Sequence, residues 1–205
     1  MNTIRALLLT EYGGADAATI ASTEAPTAAA GQVLVRVQAA GINGLDWKVR
    51  EGYVRDAFPL QLPTVLGIEL AGVVEAVGAN VTRLRKGDRV MGPLGGLGAY
   101  AELVAVNEAN LSLIPDALSF VEAAALPVAS VAGWQSLHFA GPIRAGQRIL
   151  IHGAAGGLGG FSRCSTRARR APWSTPPPWP ARPTTSAASG PTTSSPTTRR
   201  SSSVR

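Results

Sequence analysis

The feature that most limits the fold of this 205-residue chain is a change of composition after Phe161. Residues 162–205 contain ten Ser, eight Thr, eight Pro and eight Arg, with no Leu, Ile, Phe or Met. Such a segment cannot bury enough apolar surface to offset the conformational entropy lost on folding. We therefore expect residues 162–205 to be disordered and the folded part to lie within residues 1–161.

The formal net charge of +6 belongs to the same tail. Residues 162–205 hold eight Arg and no Asp or Glu, so residues 1–161 keep 11 basic and 13 acidic side chains. A basic chain suggests a nucleic acid or another anionic partner, but here the body is mildly acidic. A single cysteine, Cys164, excludes an intrachain disulfide and a cysteine-based metal site. With no convincing signal peptide and no long apolar run, we expect a cytoplasmic protein without a membrane span.

Residues 1–118 have the pattern of short β-strands separated by Gly, Pro and Asn. In the stretch 31–41, Val33, Val35 and Val37 alternate with polar residues, which is the period of a half-buried strand. Three further stretches show strand patterns: residues 66–78, 86–92 and 98–107. Several short strands within about 100 residues predict a closed or partly closed β-barrel.

The pattern changes near Asp116. Ser119 followed by Glu122 predicts a capping box, and residues 119–141 predict a helix that is interrupted at Pro127. Residues 146–153 predict a compact apolar strand, which a glycine-rich turn follows at once.

That turn, GAAGGLG, has glycines at 153, 156, 157 and 159. Glycines after a strand allow a tight turn whose backbone N–H groups approach a pyrophosphate, and the next helix adds a favourable dipole. The spacing is not the strict GxGxxG, and a glycine-rich connection between packed elements is the alternative. The preceding strand favours the cofactor interpretation.

Six stretches together resemble the zinc-free quinone oxidoreductase branch of the medium-chain dehydrogenase/reductases. They are AAGINGLDWKVREG (39–52), LPTVLGIELAGVVEAVG (62–78), KGDRVMG (86–92), YAEL (100–103), AAALPVASVAGWQSL (123–137) and RILIHGAAGGLG (148–159). The resemblance implies a β-rich GroES-like barrel over residues 1–120, the start of an incomplete α/β Rossmann domain over 121–161, and a disordered tail over 162–205. It also implies NADPH-dependent reduction of quinones, enones or related carbonyl compounds.

The resemblance also implies the site residues. Four of them fall on the stretch that faces the substrate cleft in the family: Asn43, Asp46, Lys48 and Tyr53. Each is a candidate to position a carbonyl oxygen or supply a proton, although Asn43 and Asp46 could serve only to hold a loop through side-chain-to-backbone bonds. The cofactor-binding residues implied are Gly153, Ala154, Ala155, Gly156, Gly157, Leu158 and Gly159.

We expect no metal. Zinc-dependent relatives carry a Cys where this chain has Asn43 and a Gly-His-Glu where it has Gly67-Ile68-Glu69. An amide and an isoleucine cannot form a thiolate–imidazole zinc site. The family is often homodimeric through its Rossmann sheet, and we expect that surface to be missing here.

The composition of the tail is consistent with a shifted reading frame. In the neighbouring frame, codons for the residues SRCS can encode AVQ, and codons for ASGPTTSS can encode LGADDVV, both typical of the family at these places. We interpret residues from about 162 as an out-of-frame tail that impairs the enzyme. The rival interpretation is a genuine basic tail on a non-enzymatic barrel, which would bind nucleic acid or another anionic partner.

Overall fold

The computed structural model describes residues 2–139, 143 and 148–168. Its contacts divide the chain into two compact units, one comprising Met1–Val131 and the other beginning at Ala132. The strands are β1 (Thr3–Leu9), β2 (Ala18–Glu24), β3 (Gln32–Ala40), β4 (Thr64–Val65), β5 (Glu69–Val77), β6 (Arg89–Pro93), β7 (Leu103–Asn107) and β8 (Ser112–Leu113). The helices are α1 (Gly44–Arg50), α2 (Phe120–Ala124), α3 (Pro127–His138) and α4 (Gly157–Ala168), with short 3-10 turns at Ala15–Ala17 and Glu108–Asn110.

The first unit is built from two antiparallel sheets. The larger has the strand order β7-β3-β5-β6-β8, and the smaller has the order β2-β1-β4. A single antiparallel bridge between Ala6 and Ala101 ties β1 to the segment that leads into β7. This architecture confirms the predicted β-rich barrel.

The alternating valines of β3 form part of the main core. Val33 and Val35 are fully buried, and Val37 packs against the same cluster while partly exposed. Leu70 and Val74 of β5 join them from the neighbouring strand. The period-two pattern therefore identified the inward face correctly, because successive side chains of a strand point to opposite faces of the sheet.

The predicted helical segment after residue 118 is also confirmed. The carboxylate of Glu122 accepts from the backbone N–H of Ser119 at 2.9 Å, and the Ser119 hydroxyl accepts from the Glu122 N–H at 3.2 Å, which completes the capping box. Helix α2 ends at Ala124 and α3 begins at Pro127. Proline fits the first turn of a helix because its missing N–H would have no intrahelical partner there.

The second unit departs from the sequence predictions at the strand predicted over residues 146–153. Residues 148–153, which are the continuously described part of it, form no strand; only Leu150 makes a bridge, and its side chain is 60% exposed. An apolar run forms a buried strand only where neighbouring strands pair with it. None of the strands that the structure describes belongs to this unit, so no described strand pairs with the run.

The expected disorder from Ser162 onward is wrong for residues 162–168, because α4 continues to Ala168. Ser162 is buried, and its hydroxyl donates to the Leu158 carbonyl at 3.0 Å and lies 3.3 Å from the Gly133 carbonyl of α3. A Cβ added at Gly133 would lie 3.1 Å from the Ser162 nitrogen. The two helices of this unit thus pack through small residues, which composition alone does not reveal. The rest of the predicted tail, residues 169–205, lies outside the described residues.

One buried carboxylate braces the loop between β5 and β6. Glu108 is 9% exposed, and its carboxylate accepts from the backbone N–H groups of Thr82, Arg83 and Leu84. Burial of Glu108 opposes ionisation, but these hydrogen bonds outweigh it and hold the pKa of Glu108 below the usual value of a glutamate. The ionised carboxylate is therefore part of the folded structure.

The turn that precedes β5 depends on a glycine. Gly67 has a φ of +92°, and a Cβ added there would lie 2.5 Å from the ring of Tyr100. Gly87, in the turn before β6, has nearly the same φ of +93° but open space around it. Both positions therefore need a residue that tolerates a positive φ. At Gly67 the absence of a Cβ also allows the Tyr100 ring to pack against the backbone.

We predict that Glu108 contributes to acid sensitivity. A carboxyl whose pKa is lowered by folding stabilises the native state above its unfolded pKa of about 4.3, and this contribution is lost as the pH falls through the folded value. Glu108→Gln should lower the free energy of unfolding at pH 7 and flatten its decline between about pH 4.3 and pH 3. Urea titrations across this range test it. The matched change at the exposed Glu24, to Gln, should alter neither quantity; equal effects from both variants would contradict the prediction.

We also predict that alanine is tolerated less at Gly67 than at Gly87. Both variants incur about 1–2 kcal/mol for a left-handed backbone. Gly67→Ala should cost about 1–3 kcal/mol more, because its methyl group must displace the Tyr100 ring. Thermal or urea unfolding of the two single variants measures the difference. Equal destabilisation would show that the Tyr100 ring does not need the space.

Candidate functional site

Helix α1 begins at the loop that carries Asn43. Asn43 has an extended backbone, with φ −111° and ψ 152°, and precedes the first helical residue. The Asp46 carboxylate turns back and accepts from the Asn43 N–H at 2.7 Å. An acidic side chain three residues after the N-cap satisfies a backbone donor in this way, and its charge is favourable at the helix start. The sequence thus fixes where α1 begins and where the Asn43 side chain leaves the backbone.

A buried carboxylate from β5 orients the side chain of Asn43. The Asn43 Nδ2 donates to Oε1 of Glu69 at 2.7 Å, and Glu69 is 3% exposed. The second oxygen of Glu69 accepts from the Val128 N–H, in the first turn of α3, at 2.7 Å. Carboxylate oxygens accept hydrogen bonds, so the amide nitrogen of Asn43, rather than its oxygen, faces Glu69. The other N–H of that amide has no hydrogen-bond partner among the described residues.

Tyr100 holds Asp46 from the opposite side. Its hydroxyl lies 2.7 Å from Oδ2 of Asp46 and 3.1 Å from the carbonyl oxygen of Gly41. Burial raises the pKa of Tyr100, and the hydrogen bond to Asp46 raises it further. Tyr100 is consequently a protonated hydrogen-bond donor at every physiological pH.

Asp46 itself is 6% exposed, and its Oδ1 has no hydrogen-bond partner within the described part of the chain. Its Oδ2 is shared by the Asn43 backbone and Tyr100. This geometry matches the alternative that Asp46 holds the loop through side-chain-to-backbone bonds. The hypothesis that Asp46 supplies a proton stays a prediction.

Lys48 and Tyr53, the other two candidates, lie apart from this network. Lys48 Nζ is 5.7 Å from the ring centroid of Trp47, and the Tyr53 ring meets the same indole edge-on at 5.7 Å. Tyr53 is 72% exposed. Asn43 and Asp46 are therefore linked by a hydrogen bond, whereas Lys48 and Tyr53 each contact the ring of Trp47.

Sequence reasoning missed two members of the polar network, Glu69 and Tyr100. They approach Asn43 and Asp46 across separations of 26 and 54 residues, which no local pattern encodes. A signal for Glu69 was present: it is a carboxylate inside the apolar run of β5, and buried charges in proteins need partners. Tyr100 stands in an ordinary strand-like stretch and gave no such signal.

In the second unit, the glycine turn leads directly into α4. Gly153 has a φ of +65°, and the Gly156 N–H donates to its carbonyl at 2.9 Å. A Cβ on Gly159 would lie 2.3 Å from that same carbonyl oxygen, so the turn and the helix approach each other only because residue 159 is glycine. The first N–H groups of a helix have no intrahelical acceptor. The turn therefore fits a phosphate group at the start of α4.

The described residues contain no group of three or more His, Cys, Asp or Glu side chains arranged to hold a metal ion. Among their helices, none combines the length and the apolar character that crossing a membrane requires.

Comparison with known proteins identifies the first unit. Residues 29–116 match the family model described as the alcohol dehydrogenase GroES-like domain. This range contains β3, α1 and β5, and so includes Asn43, Asp46, Glu69 and Tyr100.

Curated relatives match a larger share of the chain than the domain model does. The chain is 40% identical to the synaptic vesicle membrane protein VAT-1 homolog of Danio rerio over 77% of its own length and 32% of that protein. It is 41% identical to the 2-methylene-furan-3-one reductase of Solanum lycopersicum over 76% of its length and 42% of that protein. The chain thus spans less than half the length of these two relatives.

A solved structure gives the same result. The Escherichia coli quinone oxidoreductase, complexed with NADPH, superposes with a TM-score of 0.71 at 29% identity, over 80% of this chain and 49% of that one. The fold, the matched domain and the sequence identities agree. Residues 29–116 belong to the alcohol dehydrogenase GroES-like domain family, and the chain is similar to the quinone oxidoreductases and the VAT-1-like proteins of the medium-chain dehydrogenase/reductase superfamily.

Proposed function

We propose that this chain carries the substrate-binding domain and the phosphate-binding turn of an NADPH-dependent oxidoreductase that reduces quinones, enones or related carbonyl compounds. The observation that carries the proposal is the Asn43 amide, which the buried Glu69 holds at 2.7 Å with one N–H left for a ligand. The names of the relatives support it, since they include a quinone oxidoreductase and a furanone reductase.

The arrangement suits reduction of a conjugated carbonyl. Hydride addition places negative charge on the carbonyl oxygen, and a pre-oriented N–H donor stabilises that charge better than mobile water does. Asn43 is such a donor, because the bond to Glu69 restrains rotation of the amide group about the side-chain χ2 bond. Asp46 and Tyr100 are positioning residues, because their hydrogen bonds hold the loop from which Asn43 projects.

A bound nicotinamide cofactor would supply the hydride. The residues that would hold its pyrophosphate are those of the turn before α4: Gly153, Ala154, Ala155, Gly156, Gly157, Leu158 and Gly159. NADPH rather than NADH is part of the proposal, and its support is the complex of the Escherichia coli relative.

We propose the partner and the location of the protein on the same grounds. The partner is a small-molecule quinone or enone, and the site of action is the cytoplasm, where NADPH is a common reductant. Most arginines of the basic tail lie beyond Ala168, outside the described residues, and nothing within the described part favours a nucleic-acid partner.

We predict that Asn43 contributes to ligand affinity and that Glu69 acts through it. Asn43→Ala should weaken binding of 2-methyl-1,4-naphthoquinone about 2- to 12-fold, the equivalent of one hydrogen bond of about 0.5–1.5 kcal/mol. Glu69→Ala should have a similar effect alone and little further effect in the Asn43→Ala background, because coupled residues are not additive. Titration by NMR measures each affinity, with Gln38→Ala as the exposed control. Full additivity of the two changes would contradict the coupling.

We also predict that the 205-residue chain alone binds NADPH weakly or not at all. A pyrophosphate turn works within a parallel sheet that places it against the rest of the cofactor, and the second unit has no strand among its described residues. Calorimetry with NADPH should show no saturation at micromolar concentrations, whereas the Escherichia coli quinone oxidoreductase serves as a positive control. Micromolar affinity in this chain, abolished by Gly157→Glu, would contradict the prediction.

A further inference from the structure

Four large apolar side chains in α1 and just beside it are exposed. Ile42 is 90% exposed, Leu45 and Trp47 are each 44% exposed, and Tyr53 is 72% exposed. All four lie within ten positions of Asn43 in sequence. Large exposed apolar groups that cluster together usually mark a binding surface rather than an accident of packing.

The aromatic rings of this cluster are arranged around one indole. The Tyr53 ring meets Trp47 edge-on, with an interplanar angle of 82°. The Trp47 Nε1 lies 4.0 Å from the position that a Cβ on Gly44 would occupy, so this edge of the indole lies near the first residue of α1, which follows Asn43 in sequence. A partly exposed indole suits a planar ligand, because offset stacking and apolar contact both favour flat rings.

A cation completes the cluster. Lys48 Nζ lies 5.7 Å from the Trp47 centroid, and no acidic side chain of the described residues forms an ion pair with it. The nearby acids are engaged elsewhere: Glu51 pairs with Arg50 at 2.7 Å, and Asp46 is buried against Tyr100. Lys48 therefore presents an uncompensated positive charge beside the exposed indole.

We propose that Trp47, Tyr53 and Lys48 select planar substrates that carry an acidic group, so that the ring stacks on Trp47 while its carboxylate or sulfonate pairs with Lys48. This inference rests on the proposed function and names the substrate class within it. Trp47 and Tyr53 provide affinity for any flat ring. Lys48 provides the preference for an anionic ring over a neutral one of similar shape.

The test compares two quinones, 1,4-naphthoquinone-2-sulfonate and the neutral 2-methyl-1,4-naphthoquinone, as ligands of the full chain. Their affinities are measured by NMR titration at low ionic strength. The wild-type chain should prefer the sulfonate about two- to fivefold, which is the range of an exposed charge pair. The preference should shrink as salt is added, because exposed charges are screened.

Variants separate the charge from the stacking. Lys48→Gln should bring the affinity ratio close to one, Lys48→Arg should keep it, and Lys86→Gln, at the other lysine of the chain, should leave it unchanged. Trp47→Leu should weaken both quinones without changing their ratio. Binding of both quinones with a ratio that Lys48→Gln does not alter would overturn this inference and leave the proposed function standing. Failure of the sulfonate alone to bind would overturn this inference, and failure of both quinones to bind the wild-type chain would overturn the proposed function as well.

Discussion

A single buried carboxylate, that of Glu69, connects β5 with the loop before α1 and with the start of α3. Glu69 projects from β5, in the centre of the larger sheet, and gives one oxygen to the Asn43 amide and the other to the Val128 N–H of α3. A buried carboxylate is costly unless both of its oxygens are satisfied. This requirement fixes the Asn43 amide and the start of α3 together, so the same contact that stabilises the fold also orients the candidate site.

The residues of the polar network around Glu69 have different roles: Asp46 and Tyr100 hold the loop, and Asn43 is the proposed ligand contact. Asp46 and Tyr100 bond to each other and to the backbone of Asn43 and Gly41, and both are turned inward. Asn43 is the member that retains a donor for a ligand, while Trp47, Lys48 and Tyr53 lie on the exposed side of the same segment. The segment around α1 thus carries both buried, hydrogen-bonded side chains and exposed ones.

The sequence predicted the parts of the structure that local rules determine. The valines of β3 alternate as their burial requires, Ser119 and Glu122 form the predicted capping box, and Pro127 begins a new helix. What could not be predicted depends on distant or missing neighbours. Glu69 and Tyr100 meet partners that are 26 and 54 residues away in sequence. The apolar run at 148–152 forms no strand, and none of the described strands lies in its unit to pair with it. Helix α4 continues past Phe161 because a small residue at position 162 fits against Gly133.

The central claim is that Glu69 fixes the Asn43 amide and leaves one N–H for a carbonyl ligand. The most direct measurement is the NMR signal of the two Asn43 Nδ2 protons, with and without a quinone. We expect both signals to be displaced from the positions of an unrestrained asparagine side chain in the free protein, one of them protected from exchange by Glu69, with a shift confined mainly to the other when the quinone is added. Two signals at the unrestrained positions, unchanged by the quinone, would contradict the claim.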